Sequence, residues 1–315
     1  MSDSSSDTTA SPSAARKDAV PAGGRVLVTG AAGMLGSQVL LAAPEDLATV
    51  GTDLREAPGV DAPGTDLSDP EQVDALFTEH GPLAGVVHCA AYTAVDKAEE
   101  DEALAQRVNG DACGVLAARC ASEGVPLVIV STDFVFDGRG RRPYREDDPV
   151  APLSAYGRTK LDGERQALAA HPTGTRIVRT QWLYGPRGRH FPHTMLQLAR
   201  ERDRLKVVAD QVGAPTSTLE LAPALWDVLL RGEAGIWHAA CSGECSWFDL
   251  AVATLAFAGV EGVTVEPCST DEFPRPAVRP AYSVLDCSKL EALRQKPLAP
   301  WREALQTYLG SEAEE

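Results

Sequence analysis

Arg25-Val26-Leu27-Val28-Thr29-Gly30-Ala31-Ala32-Gly33-Met34-Leu35-Gly36 joins a short apolar run to three evenly spaced glycines. The β-branched run reads as a buried strand ending at Gly30, and a helix is expected from about Gly33 to Leu41. Between them, Gly30, Gly33 and Gly36 let the main chain approach a ligand, and the amides of the helix N-terminus attract a pyrophosphate. A glycine turn that merely packs helix on strand looks the same, so the next element decides. Ala48 to Asp53 (ATVGTD) is a second strand whose last residue is acidic, where a carboxylate would hydrogen-bond the ribose hydroxyls of a bound adenosine. A dinucleotide fits this strand, turn, helix and acid together. Asp53 favours NAD, whereas Arg55 would pair with the extra phosphate of NADP, and the choice stays open.

Working outward, a helix is expected over Glu71 to Glu79, a strand over Ala84 to Ala90, a long helix over Asp101 to Glu123 and a strand over Pro126 to Ser131. A helix over Ser154 to Ala170 and a strand over Arg176 to Thr180 continue the alternation. Strictly alternating elements imply right-handed crossovers and a parallel sheet, an α/β chain of the Rossmann-like doubly wound class. Asp66-Leu67, after a short third strand, is placed for adenine. Ala90-Ala91-Tyr92-Thr93, at the C-terminal end of a strand, falls beside the cofactor by the same topological rule.

After Trp182 the elements become less regular, with Gly185, Pro186, Gly188, Pro192, Gly213 and Pro215 interrupting them. The expected division is a disordered tail over 1–23, a dinucleotide-binding domain over 24–182 and a mainly substrate-binding α/β domain over 183–315. Some segments of the last are expected to return to the Rossmann core. Helices are expected there at Thr194 to Arg202, Leu219 to Arg231, Trp247 to Phe257 and Trp301 to Leu309.

Tyr156-Gly157-Arg158-Thr159-Lys160 opens the helix expected from Ser154. Residues four apart share a helix face, so the Lys160 ammonium would lie beside the Tyr156 phenol and favour the phenolate. A phenol with an ordinary pKa of about 10 would then serve as an acid or base near neutrality. The same spacing also suits a surface helix with a snorkelling lysine; the glycine turn upstream tips it towards hydride transfer.

The chain has 315 residues and 44% hydrophobic content, enough for a substantial core, and a formal net charge of -16. That charge argues against nucleic acid, which needs a basic surface. Residues 1–23 are rich in Ser, Asp, Ala, Thr and Pro and cannot offset their ordering entropy. No apolar run approaches the roughly 18 residues that span a membrane. Seven scattered cysteines without a CxxC pair fit a reducing cytoplasm, and neither they nor the six histidines show metal-ligand spacing, so no metal is expected.

Beyond single motifs, TGAAGMLG from Thr29, CAAYTAVDKAE from Cys89, STDFVFDG from Ser131, YGRTKLDGE from Tyr156, RTQWLYG from Arg179, DQVGAPTS from Asp210 and RPAYSVLD from Arg279 run in one order along the chain. Together they resemble the extended short-chain dehydrogenase/reductases, and more narrowly the dTDP-4-dehydrorhamnose reductase family. The resemblance implies NADPH- or NADH-dependent reduction of the C4 ketone of a dTDP-4-keto-6-deoxyhexose, with Tyr156 as proton donor, Thr132 bonding the same oxygen and Lys160 holding the nicotinamide ribose. It places Gly33, Met34, Leu35, Asp66, Leu67, Ala91, Tyr92 and Thr93 on the cofactor, and Thr132, Asp133 and Trp182 on the dTDP-sugar. A strand-end hydroxyl bonded to its own backbone is the plain alternative for Thr132, and a core aromatic for Trp182. Arg187, Arg189 and Arg279 either meet the diphosphate or are solvated.

Three positions depart from the family pattern. Phe134 stands where a tyrosine is usual, His190 where an asparagine is usual, and Gln38 replaces a glutamate that some members use in a magnesium-linked dimer. A changed sugar preference and a monomer or weak homodimer are the expectations. An NDP-sugar epimerase uses the same fold and the same tyrosine and lysine but consumes no cofactor. A dinucleotide-binding regulatory subunit would have no need for a poised phenol.

Overall fold

From the N-terminus the elements are β1 (Arg25–Thr29), α1 (Met34–Leu41), β2 (Ala48–Asp53), β3 (Ala62–Pro63), α2 (Pro70–His80), β4 (Leu83–His88), α3 (Val95–Ala98) and α4 (Glu102–Gln106). A π-helical turn (Arg107–Asp111) leads into α5 (Ala112–Glu123), followed by β5 (Leu127–Thr132), α6 (Ala155–Ala170), β6 (Thr175–Thr180), β7 (Leu183–Tyr184), α7 (Phe191–Ala199) and β8 (Arg204–Val208). β9 (Val212–Gly213), β10 (Thr216–Ser217), α8 (Thr218–Arg231), β11 (Gly235–His238), β12 (Cys245–Ser246), α9 (Trp247–Phe257), β13 (Thr264–Cys268), α10 (Ser288–Arg294) and α11 (Trp301–Glu312) complete the chain. The structure, a computed structural model, describes residues 23–312. The expected tail therefore lies, Gly23 apart, outside the described residues.

Seven strands pair in parallel in the order β11-β6-β5-β4-β1-β2-β3. The order reverses at β1, whose Thr29 faces Thr52 of β2 on one side and His88 of β4 on the other. Such a reversal parts the connecting helices and leaves a crevice beyond the carboxyl ends of the strands.

Strand side chains alternate between two faces, and both faces are buried. Val26, Val28, Val87, Val128 and Val178 pack with Leu221, Leu225 and Leu229 of α8, while Leu27, Val86, Leu127, Ile129 and Ile177 pack against Leu116 and Cys120 of α5. Strands covered on both sides read as the continuous apolar runs seen in the sequence. β11 and α8 come from the C-terminal part of the chain yet build this core. A separate cluster of Met195, Leu205, Val207, Ala251 and Leu255 holds α7 and α9 against the parallel pair β8 and β13.

The helix expected as one piece over 101–123 is interrupted by the π-turn at 107–111. Asn109, on that turn, is 1% exposed and reaches out of the helix. Its Oδ1 accepts from the Tyr92 amide at 2.8 Å, while its Nδ2 donates to the Tyr92 carbonyl and to Thr159 Oγ1 of α6. Single π-turns of this kind often accompany functional positions.

Candidate active site

The carboxyl ends of β1, β2, β4, β5 and β6 open onto a cleft of about 830 Å³. Gly30, Gly33, Met34, Leu35 and Gly36 line one end of it. Gly30 turns the chain with φ 66°, and a Cβ on Gly36 would overlap the Gly30 carbonyl, so the turn and α1 close on each other only without side chains. α1 starts with no side-chain cap and no acidic residue in its first turn. Its first amides are thus presented to the cleft, an arrangement that suits an anionic group.

Asp53 lines the same end; its Oδ2 accepts from the Ala32 amide at 3.1 Å and its Oδ1 from the Arg55 amide at 3.1 Å. The carboxylate braces the glycine turn from the neighbouring strand, with Arg55 beside it at 3.5 Å. Asp66 and Leu67 lie on the adjoining wall, where Ser68 donates to Asp66 from both its amide and its hydroxyl. Those two bonds, chiefly the hydroxyl, hold the Asp66 carboxyl below its ordinary pKa. Ala91 and Thr93 also line the cleft, whereas Tyr92 is not brought to the lining. Its ring packs instead against the Ala98, Ala105 and Ala155 cluster, and Asn109 clamps its backbone.

Thr132, Asp133, Tyr156, Lys160 and Trp182 share the other end of the cleft. Thr132 ends β5; its hydroxyl donates to Asp133 Oδ1 at 3.0 Å and accepts from the Phe134 amide at 3.2 Å, with the Tyr156 phenol beside it. The plain reading of Thr132 holds, since it caps its own backbone turn, and the same side chain stands beside the phenol. Lys160, 3% exposed, donates from Nζ to the Val130 carbonyl at 2.7 Å, and burial lowers its pKa.

The expected depression of Tyr156 by Lys160 is not what this geometry produces. Burial pushes the phenol up to about 12, and it is Thr132, not Lys160, that opposes the rise. The ammonium is turned to a β5 carbonyl, and desolvation of a phenolate outweighs the remaining help. Asp133 is 1% exposed, and burial pushes its carboxyl up to about 6.

Four buried polar groups lie along the cleft, of which the sequence reading singled out Asp133 but not His88, Thr180 or Gln181. His88 Nε2, Asp133 Oδ2, Thr180 Oγ1 and Gln181 Nε2 are buried on cleft-lining residues and have no hydrogen-bond partner among the described residues. Buried polar atoms are ordinarily satisfied, so a group of four along one wall fits a ligand rich in hydroxyls. Gln181 is held by its Oε1, which accepts from the Ala214 amide at 3.0 Å and from Ser283. The only sequence signal for Thr180 and Gln181 was their place in the RTQWLYG block.

Arg279 is not available to a diphosphate. Its guanidinium grips Asp96 through two bonds of 2.8 and 2.9 Å. Arg189 does line the cleft, on the glycine-turn side. Among the departures, Phe134 sets its ring edge on Tyr156 at 5.5 Å between centroids. His190 caps α7, accepting the His193 amide on Nδ1, and its Nε2 meets Tyr308 Oη of α11 at 2.9 Å. Gln38 is buried on α1. Among the described residues no three His, Cys, Asp or Glu gather as a metal would require, and no helix is long and apolar enough to cross a membrane.

A family profile described as "RmlD substrate binding domain" matches residues 24–313. A dTDP-4-dehydrorhamnose reductase of Streptomyces griseus is 45% identical over 289 residues, covering 89% of this chain and 91% of that protein. The chain belongs to the dTDP-4-dehydrorhamnose reductase family. A probable dTDP-4,6-dihydroxy-2-methyloxan-3-one 4-ketoreductase of Streptomyces antibioticus is 44% identical, with 89% of this chain and 93% of that protein covered. Among solved structures, a Bacillus anthracis dTDP-4-dehydrorhamnose reductase in complex with NADP superposes with a TM-score of 0.85 at 33% identity, covering 91% of this chain and 99% of that one. Family membership accounts for the seven ordered motifs, and the parallel sheet and cleft are those of a Rossmann-like reductase.

Proposed function

We propose that the chain reduces the C4 ketone of dTDP-4-dehydro-L-rhamnose to dTDP-L-rhamnose with NADPH or NADH, a step of nucleotide-sugar biosynthesis. The reduction of a dTDP-4-keto sugar is the activity of the family. The observation that carries the reading is the convergence of Thr132, Tyr156 and Lys160 at the end of a cleft whose other end is an uncapped helix N-terminus. That end fits the diphosphate of a dinucleotide, held by Gly30, Gly33, Met34, Leu35 and Gly36, with Asp53 towards the ribose and Asp66, Leu67, Ala91 and Thr93 along its length. When bound, the reduced nicotinamide supplies the hydride.

A ketone that gains a hydride becomes an alkoxide, so donors already aimed at its oxygen stabilise charge present only in the transition state. Tyr156 gives that oxygen its proton. A phenol held near 12 stays protonated at working pH and still yields to an alkoxide, the stronger base. Thr132 stands beside the phenol, and its hydroxyl bonds the same oxygen once its hydrogen turns from Asp133 to the alkoxide. Lys160, fixed to the Val130 carbonyl on the cleft lining, would hold the nicotinamide ribose. Asp133 Oδ2, Thr180 and Gln181 offer partners for sugar hydroxyls, and Trp182 forms the adjoining wall.

The test is to mix the protein with dTDP-4-keto-6-deoxyglucose, a 3,5-epimerase and each reduced cofactor in turn, following absorbance loss and identifying the sugar. Stoichiometric oxidation with dTDP-L-rhamnose as product is expected; an epimerase would consume no cofactor. No oxidation with either cofactor would overturn the reading. Phe134 favours a second reading, a related dTDP-4-keto-6-deoxysugar of a secondary metabolite, because the ring edge on Tyr156 replaces a hydroxyl at the sugar end. Assay without the epimerase separates the two. Seven unpaired thiols support a reducing cytoplasm as the setting.

A further inference from the structure

Trp182 is one of three non-glycine residues with positive φ among the described residues, at 49°. Left-handed backbone at a bulky residue persists only where the surroundings over-determine it. Here they do. The indole lies on Trp247 with ring centroids 3.6 Å apart and planes within 9°. Gly213 approaches it so closely that a Cβ there would fall 2.6 Å from Trp182 Cε2. We propose that Trp247, which is not part of the cleft lining, is the positioning residue that holds the Trp182 indole as the wall of the sugar site.

Trp247 is itself fixed from several directions. β12 pairs antiparallel with β9, Cys245 opposite Gly213, which sets the start of α9 beside Trp182. Ser246 caps α9 in a reciprocal box with Asp249, so the first residue of the helix, Trp247, has a defined exit direction. Its indole Nε1 donates to Gln211 Oε1 at 3.1 Å, and Gln211 is braced by Thr270, whose hydroxyl donates to Asp210. Phe191, the first residue of α7, packs on the same ring at 4.7 Å. The C-terminal part of the chain thus braces Trp182 through the stacked pair, as it braces Gln181 through Ala214 and Ser283. Along the Asp210-Gln211-Val212-Gly213 stretch, a carboxylate and an amide steady Trp247, and a glycine makes room for Trp182.

The inference rests on the proposed reduction of a dTDP-4-keto sugar, because the wall matters only if a hexose packs on it. A platform that moves should weaken sugar binding while sparing the distant glycine turn. Full-length wild type, Trp247→Ala and Trp247→Phe are compared for KM of the sugar nucleotide, KM of the cofactor and kcat, together with the exciton couplet of the stacked indoles in circular dichroism. Trp247→Ala is expected to lose the couplet and raise the sugar KM about tenfold, with the cofactor KM within about twofold. Trp247→Phe also loses the couplet but restores the sugar KM to within about threefold, since a flat ring still supports the indole.

An unchanged sugar KM in Trp247→Ala, with the couplet gone, would overturn the inference. A cofactor KM that rises in step with the sugar KM would overturn it too, as the mark of a general loosening. Should Trp247→Ala fail to fold, Trp247→Leu, which keeps most of the volume, carries the same comparison. A wild-type protein that oxidises neither cofactor would instead defeat the reading beneath, a separate and earlier result.

Discussion

Arg179 and Glu164 form an enclosed bidentate pair, Nε to Oε1 at 2.9 Å and Nη2 to Oε2 at 2.7 Å, each side chain 2% exposed. Arg179 belongs to β6, three residues before Trp182, and Glu164 lies one turn beyond Lys160 on α6. Glu164 Oε1 also accepts from Ser131 of β5 at 2.5 Å, next to Thr132. β5 and α6, which carry Thr132 and Lys160, and β6, which leads to Trp182, are therefore tied at one buried charge pair, with Phe136 stacked under the guanidinium at 5.1 Å.

Breaking that pair on one side leaves an uncompensated buried charge. Glu164→Gln is expected to destabilise the fold by about 3–5 kcal/mol in denaturant unfolding, because the Arg179 guanidinium keeps its desolvation cost without its counter-ion. Joint replacement, Glu164→Leu with Arg179→Met, should recover most of the loss. A double variant no more stable than Glu164→Gln would contradict this account.

Removing the proton donor should spare the fold and stop the chemistry. Tyr156→Phe keeps the ring edge contact with Phe134 and is expected to lower kcat by about 10²–10⁴-fold with an unchanged melting temperature. Turnover within a few-fold of wild type would show that the proton comes from elsewhere.

Acid should weaken the fold earlier than its carboxylates require. Burial holds His88, His190 and His238 neutral, lowering them to about 3, about 4 and about 3. Unfolded, each would titrate near 6.5, so between that value and its folded one the unfolded chain binds more protons. Their neutral-state stability is complete above about pH 6.5 and is lost as pH falls towards the folded values. Asp133, raised to about 6, acts with the opposite sign below that pH, and three histidines outweigh it. Urea unfolding from pH 7 to 5 should show this slope, and His190→Asn should reduce it by about one proton.

Asn109 supplies the last expectation. Asn109→Ala strands the Tyr92 amide and carbonyl, which should cost about 1–3 kcal/mol and loosen the Ala91–Thr93 segment on the cleft wall. The cofactor KM is expected to rise while the sugar KM stays close to wild type. Steady-state kinetics with each substrate varied in turn distinguish the two.

Local patterning reached far into this fold because a doubly wound sheet is written in short-range terms. The apolar run Arg25 to Thr29, the glycines at 30, 33 and 36 and the acid at 53 each follow from what neighbouring backbone must do, and α9 was delimited from its sequence as Trp247 to Phe257. β11 was not foreseen, since four residues with no periodicity to speak of become a strand only when β6 offers an edge. The break of the long helix at Asn109 was equally silent, because its partners Tyr92 and Thr159 lie 17 and 50 residues away.

Sequence alone determined the order of most elements and the glycine cradle, and it singled out Tyr156 and Lys160 by residue type and close spacing and Thr132 through the resemblance of its block. Tertiary structure decided what those groups experience. It turned Lys160 to the Val130 carbonyl, set the phenol near 12, gathered at the ends of β4, β5 and β6 buried polar atoms that have no partner among the described residues, and laid Trp182 on Trp247. Dielectric environment and contacts across tens of residues are properties of packing, and a linear pattern of side chains does not contain them.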